Sequence, residues 1–131
     1  MIQNYSSRMD KTGRPVSPHV TIYSFPITAL SSITNRITGV ALSGMFGTLA
    51  VAELASSGLA LDIMQAVGSA GLAAYPAKFC VAFPIVYHYA GGIRHLVWDY
   101  TPDKLNNAEV EKASYALFGA SATISLLACF A

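Results

Sequence analysis

Apolar residues in this chain gather into three long blocks, and most of the charges lie before or between them. The first block opens at Ser31 or Ser32 and closes at Glu53, with Ile37–Leu42 and Leu49–Ala52 as its apolar body. At about 1.5 Å rise per residue, Ser32 to Glu53 covers roughly 31 Å, one hydrocarbon core. Arg36 then lies about one turn inside one face, and Glu53 marks the exit at the other. The second block runs from about Ala77 to Leu96. Pro76 suits its first turn, and Pro84 is placed to kink it and free a carbonyl near Cys80. The third block is Ala113 to Phe130, and Glu109, Glu111 and Lys112 set its start on a polar side. Between the first two, Leu59 to Tyr75 is rich in Ala, Gly and Ser and reads as a loop with room for a short surface helix. The pattern predicts an all-α membrane protein with three transmembrane helices, at about 32–53, 77–96 and 113–130. They form one domain (31–131) behind a polar N-terminal arm (1–30).

Composition agrees with the pattern. Of 131 residues, 53% are hydrophobic and 11% charged, against roughly 25% charged in an average soluble protein. A net charge of +1 gives no argument for nucleic acid. Cys80 and Cys129 sit in separate apolar blocks without CxxC spacing, so free, buried thiols are expected. The first block follows a long polar arm and precedes no cleavage pattern, unlike a secretory signal. Arg8, Lys11 and Arg14 against one acid make residues 1–14 only a weak match to a transit peptide.

Basic residues set the orientation. Arg8, Lys11, Arg14 and Arg36 precede or open the first span, and Arg94, Lys104 and Lys112 flank the second connection. The first connection holds Lys78 alone. Positive residues favour the cytoplasmic side in bacteria and the matrix side in mitochondria. The N-terminus is therefore expected inside and the C-terminus outside, with Ser32, Arg36, Arg94 and His95 at one membrane face.

The chemistry concentrates in His88-Tyr89-Ala90-Gly91-Gly92-Ile93-Arg94-His95. A histidine inside a span is a functional-site candidate. Gly91 and Gly92 leave room for a flat ring or another helix, and Arg94 supplies a fixed cation. Together these suggest haem. His88 and His95 share a helix face two turns apart, so one helix cannot place both on one iron. The deeper His88 is the better ligand, and His95 and Arg94 sit where propionates would point. A second axial ligand would come from another chain. The plain alternative is that His88 only bonds a carbonyl between helices. Ser32 and Arg36, four apart, share a face at the inner boundary and suit hydrogen bonding to a carbonyl oxygen that gains charge on reduction. The alternative there is a helix cap and a snorkelling arginine. Gly39, Ser43 and Gly47, and more weakly Ser121 and Ser125, form small-residue rows that predict close helix packing. His19 belongs to the arm and reads as a surface or interface histidine. A transporter subunit is disfavoured, since only Glu53 and Arg36 interrupt the first span and no repeat is evident.

Three segments together resemble a known family: Arg14-Pro15-Val16-Ser17-Pro18-His19-Val20-Thr21-Ile22-Tyr23, Ser32-Ile33-Thr34-Asn35-Arg36-Ile37-Thr38-Gly39, and His88 to His95 followed by Leu96-Val97-Trp98-Asp99. In this order and spacing they resemble the cytochrome b subunits of succinate dehydrogenase. These are the larger of the two usual membrane anchors of respiratory complex II. The resemblance covers nearly the whole chain. It implies a membrane-anchor subunit of succinate:ubiquinone oxidoreductase, packed in lipid with a smaller anchor and joined to a flavoprotein and an iron–sulfur subunit. It further implies that Ser32 and Arg36 line the ubiquinone site and that His88 is an axial ligand of haem b shared with the small anchor. His95, Arg94 and Arg36 would surround the propionates. The expected location is the mitochondrial inner membrane with the N-terminus in the matrix, or a bacterial cytoplasmic membrane. Many relatives have histidine just before the arginine of the second motif, where this chain has Asn35. An amide donates a hydrogen bond but carries no imidazolium charge. A purely structural anchor without haem or quinone chemistry is the alternative reading.

Overall fold

Pro26 is extended (φ −69°, ψ 152°) and lacks a backbone donor, and the first long helix starts directly after it. In the computed structural model, which describes residues 11–13 and 22–130, this helix α1 spans Ile27–Ala55. Its 29 residues cover about 43 Å. By length and apolar content α1 is long enough to cross a membrane. The carboxylate of Glu53 marks its exit, accepting hydrogen bonds from the backbone N–H groups of Gly58 (2.9 Å) and Ala60 (3.3 Å). Gly58 adopts φ +90°, a left-handed turn that a side chain would strain. Glu53 thereby holds the start of α2, Leu59–Gly68.

The segment after α1, expected as a loop with room for a short surface helix, carries that helix over most of its length. The 3₁₀ turn Gly71–Ala73 follows α2 and leads into α3, Ala74–Tyr100. The apolar stripe Leu59, Ile63, Met64 and Val67 is what makes α2 helical, and the surrounding Ala and Gly obscure it. The helices on either side of the break at Ser69 and Ala70 meet at 105°, so α2 lies across the end of α3. Pro84 sits inside α3 without ending it. The last helix, α4 (Asn107–Cys129), begins as its polar start predicted. Asn106 caps it by accepting from the Glu109 N–H (3.0 Å), and an exposed Lys112–Glu109 pair (3.5 Å) follows in the first turns.

Packing is inverted relative to a soluble protein. Ser31, Thr38, Ser114, Ser121 and Ser125 are buried, while Ile37, Val40, Phe46, Val51 and Leu54 face outward. In lipid, small residues let helices approach, and large apolar chains gain nothing by turning inward. The row Ser114, Ser121, Ser125, Cys129 on α4 is buried against the other helices, and the Cys129 thiol donates to the Ser125 carbonyl (3.1 Å). Cys80, expected buried, is exposed on the outer surface of α3. The row on α1 divides: Gly39 packs against α3, whereas Ser43 and Gly47 are exposed.

Tyr87 ties the three long helices together. It is fully buried, its ring lies 5.4 Å from Phe83 and 4.9 Å from Phe118 of α4, and its hydroxyl donates toward Ser31 of α1 (3.1 Å to Oγ, 3.2 Å to the carbonyl). Contacts at Tyr75–Phe130, Tyr87–Phe118 and Arg94–Ser114 run α3 and α4 antiparallel. Replacing Tyr87 by Phe should keep the rings packed and strand Ser31 Oγ. The expected cost is about 0.5–1.5 kcal/mol, read as a lower unfolding midpoint by circular dichroism in detergent micelles. An unchanged midpoint would show that this hydrogen bond does not hold α1 to α3.

Candidate functional site

The α1–α3 contact is built on Ser31, Asn35, Thr38 and Gly39, whose spacing places them along one face of α1. Thr38 spends its hydroxyl on the carbonyls of Thr34 and Asn35 (both 2.9 Å). The Asn35 carbonyl is also the acceptor for His88, 3.0 Å from Nδ1. A carbonyl can only accept, so Nδ1 carries a proton, and in the neutral ring Nε2 then keeps its lone pair. This is how metal-binding histidines are commonly oriented, with the other ring nitrogen donating to a carbonyl or carboxylate. The His88 ring fits because residue 39 is glycine: a Cβ there would sit 2.8 Å from its Cε1 and 3.6 Å from Nε2. Both readings of His88 therefore meet in one geometry. It bonds an interhelical carbonyl, and its second nitrogen remains available.

Gly91 and Gly92 serve different purposes. Gly91 is buried, and a Cβ on it would collide with the Asn35 side chain, whereas Gly92 faces open space. His88, Gly92 and His95 lie four and seven residues apart on one face of α3, so the open strip over Gly92 runs between the two imidazoles. Gly91→Ala should destabilise the helix packing by about 1–3 kcal/mol as an overpacked contact. Gly92→Ala should leave it intact. Parallel thermal melts of the two variants check this, and equal losses would contradict the assignment.

Arg94 points elsewhere. Its Nη1 donates to Ser114 Oγ on α4 (3.3 Å), which in turn donates to the Val110 carbonyl (2.7 Å). Its guanidinium lies 4.7 Å over Trp98, and its buried Nε has no hydrogen-bond partner. His95 is exposed and meets the same Trp98 edge-on at 5.7 Å. Trp98 thus bridges Arg94 and His95, a role that its spacing of three and four residues makes possible but does not reveal. Asn35 Oδ1, Ser121 Oγ and Ser125 Oγ are the other buried side-chain polar atoms without a partner among the described residues.

Ser32 and Arg36 are both exposed, on a face of α1 turned away from the Ser31–Asn35–Thr38 contact. Among the described residues neither side chain makes a hydrogen bond or ion pair. Neither lines the 680 Å³ cavity formed at that end by Phe25–Thr28, Leu105–Asn107, Val110, Glu111 and Tyr115. Arg36 follows Asn35, so it stands level with His88. Among the described residues no three His, Cys, Asp or Glu side chains converge. A metal at His88 would take one ligand from this part of the chain and need others. The arm carrying Arg8, Arg14 and His19 lies outside the described residues.

Helices with small polar residues turned inward and large apolar ones turned outward define an all-helical membrane protein, one of whose helices carries an oriented histidine. A family model described as succinate dehydrogenase/fumarate reductase transmembrane subunit matches residues 10–128, and the chain belongs to that family. It is 37% identical over 118 residues to a mitochondrial succinate dehydrogenase cytochrome b560 subunit of Dictyostelium discoideum, covering 89% of this chain and 62% of that one. The human protein of the same name is 38% identical over 91 residues (67% and 54%). The mitochondrial cytochrome B subunit of Schizosaccharomyces pombe is 35% identical over 118 residues (86% and 65%). The chain thus spans just over half to just under two thirds of these relatives.

Proposed function

We propose that this chain is the larger membrane anchor of a succinate:ubiquinone oxidoreductase, working with a flavoprotein, an iron–sulfur subunit and a smaller anchor. Family membership and the names of the relatives support the complex. The antiparallel run of α3 against α4, and the starts of α1 and α4 meeting around one cavity, support three crossings, with the arm (1–30) ahead of the membrane domain. The mitochondrial names of the relatives and the basic residues at the inner ends favour the mitochondrial inner membrane, N-terminus in the matrix.

The observation that carries the reading is His88, with Nδ1 committed to the Asn35 carbonyl and Nε2 left as a lone-pair donor, one turn along α3 from the open space over Gly92. These residues fit haem b. His88 Nε2 would hold the iron, and the small anchor would supply the other protein ligand. The unpartnered Nε of Arg94 suits a propionate, as do the exposed His95 and Arg36. When bound, the haem supplies a one-electron redox centre. Asn35 stands directly before Arg36. It orients His88 through its backbone carbonyl, and its side chain adds no positive charge.

Ser32 and Arg36 face out of the chain without internal partners, at the level of His88. An arginine in that position needs an acceptor. A quinone carbonyl oxygen provides one: the guanidinium and the hydroxyl donate to it and stabilise the charge that develops as it is reduced. Electrons arrive from the iron–sulfur subunit, since CxxC-type cluster ligands and a dinucleotide loop are not found in this sequence.

The complex, purified through its flavoprotein, should contain this chain. Removing the chain should abolish succinate–quinone reductase activity and spare succinate oxidation with an artificial acceptor. Quinone activity that persists without it would overturn the proposal. A second reading, a purely structural anchor, draws on the fact that His88 already has a partner in Asn35. It predicts a complex with no b-type haem spectrum.

A further inference from the structure

At the opposite end of α3 from Arg94, two cavities meet at one lysine. An apolar groove of 610 Å³ is lined by Met45 and Leu49 of α1, Met64 of α2, and Val81 and Ile85 of α3. Its size falls in the range of small-molecule sites, about 300–1,000 Å³. A smaller cavity of 260 Å³ includes Ser69 and Tyr75. Lys78 and Gly68 line both. Lys78 is half-buried, and among the described residues its ammonium makes no hydrogen bond or ion pair. The Glu53 carboxylate at the same end is already spent on the start of α2, and the first turn of α3 contains no acid.

We propose that this groove binds one anionic phospholipid of the surrounding membrane, with an acyl chain along α1 and α3 and the phosphate on Lys78. The inference rests on the membrane reading given above. Three features select a lipid over a partner helix. The groove is apolar along its length and ends at a single cation, the polarity order of a phospholipid. The small cavity beyond Lys78 gives the headgroup a place at the membrane boundary. The 105° crossing lays α2 over the end of the groove, which blocks a straight transmembrane helix and not a flexible chain. A snorkelling lysine would reach the same boundary and weakly favour anionic headgroups, but it would neither hold one lipid through detergent washing nor depend on the groove at Ala82.

The test uses the intact complex in nanodiscs of phosphatidylglycerol and phosphatidylcholine, followed by native mass spectrometry of the lipids retained after detergent washing. The wild type should keep phosphatidylglycerol in preference. Lys78→Gln should lose that preference by about tenfold or more, the loss of one charge-assisted bond, and Lys78→Arg should retain it. Ala82→Phe, which fills the groove, should lose the lipid itself. A photoreactive residue at position 85 should label phospholipid. Equal retention in Lys78→Gln and wild type, retention in Ala82→Phe, or labelling of another subunit from position 85 would each overturn the proposal. Dye-coupled succinate oxidation on the same samples reports assembly. The haem spectrum and quinone activity, read alongside, separate failure of this site from failure of the anchor assignment.

Discussion

Arg36→Ala in the assembled complex is expected to lower succinate–quinone turnover by tenfold or more while dye-coupled succinate oxidation stays near normal. The guanidinium is exposed, stands level with His88 and has no partner among the described residues, so its donors are available to a ligand. Each charge-assisted hydrogen bond lost is worth about 1.5–3 kcal/mol, and about 1.4 kcal/mol is a factor of ten. Ser32→Ala should act in the same direction and less strongly, because a neutral hydroxyl contributes a weaker bond. Unchanged quinone kinetics in a fully assembled Arg36→Ala complex would remove Arg36 from the quinone site.

The second large effect is expected at His88. His88→Leu removes the Nε2 lone pair and also the donor to the Asn35 carbonyl, so it should abolish six-coordinate haem and weaken assembly together. His95→Leu should keep six-coordination and shift the haem potential or occupancy, since His95 lies two turns away and contacts Trp98 rather than α1. Quinone reduction need not stop in either variant. If His95→Leu abolished the low-spin spectrum and His88→Leu kept it, the ligand assignment would be reversed.

Much of this arrangement was legible in the chain itself, for identifiable reasons. Apolar blocks long enough to span a bilayer predicted helices, and all three blocks are helical: the first two run past both expected ends, and the third starts earlier, at Asn107, and stops at Cys129. The seven-residue spacing of His88 and His95 placed them on one face without any structure. The packed faces were harder to read. In lipid the outward face is the more apolar one, so hydropathy does not separate a helix contact from a lipid contact. Ser121 and Ser125 were the weaker small-residue row by pattern and are buried, whereas Ser43 and Gly47 are exposed. Cys80 looked buried for the same reason.

Long-range pairings were out of reach of sequence spacing. Arg94 was expected near the propionates with His95, yet its Nη1 turns to Ser114, on another helix, and leaves Nε as the free donor. The clearest addition is the Asn35 backbone carbonyl. In the sequence Asn35 stands out only for the imidazolium charge it lacks, because a backbone acceptor is independent of side-chain identity and leaves no mark in a motif. Gly39, noted only as a packing residue, proves to be the space that seats the His88 ring.

The central claim is that His88 ligates haem b together with an imidazole from a partner anchor. A reduced-minus-oxidised spectrum of the purified native complex, read with low-temperature electron paramagnetic resonance of the oxidised form, tests it most directly. The account predicts a low-spin, bis-histidine b-type haem that copurifies with this chain. A complex that contains the chain and reduces quinone at full rate without any b-type haem would contradict it.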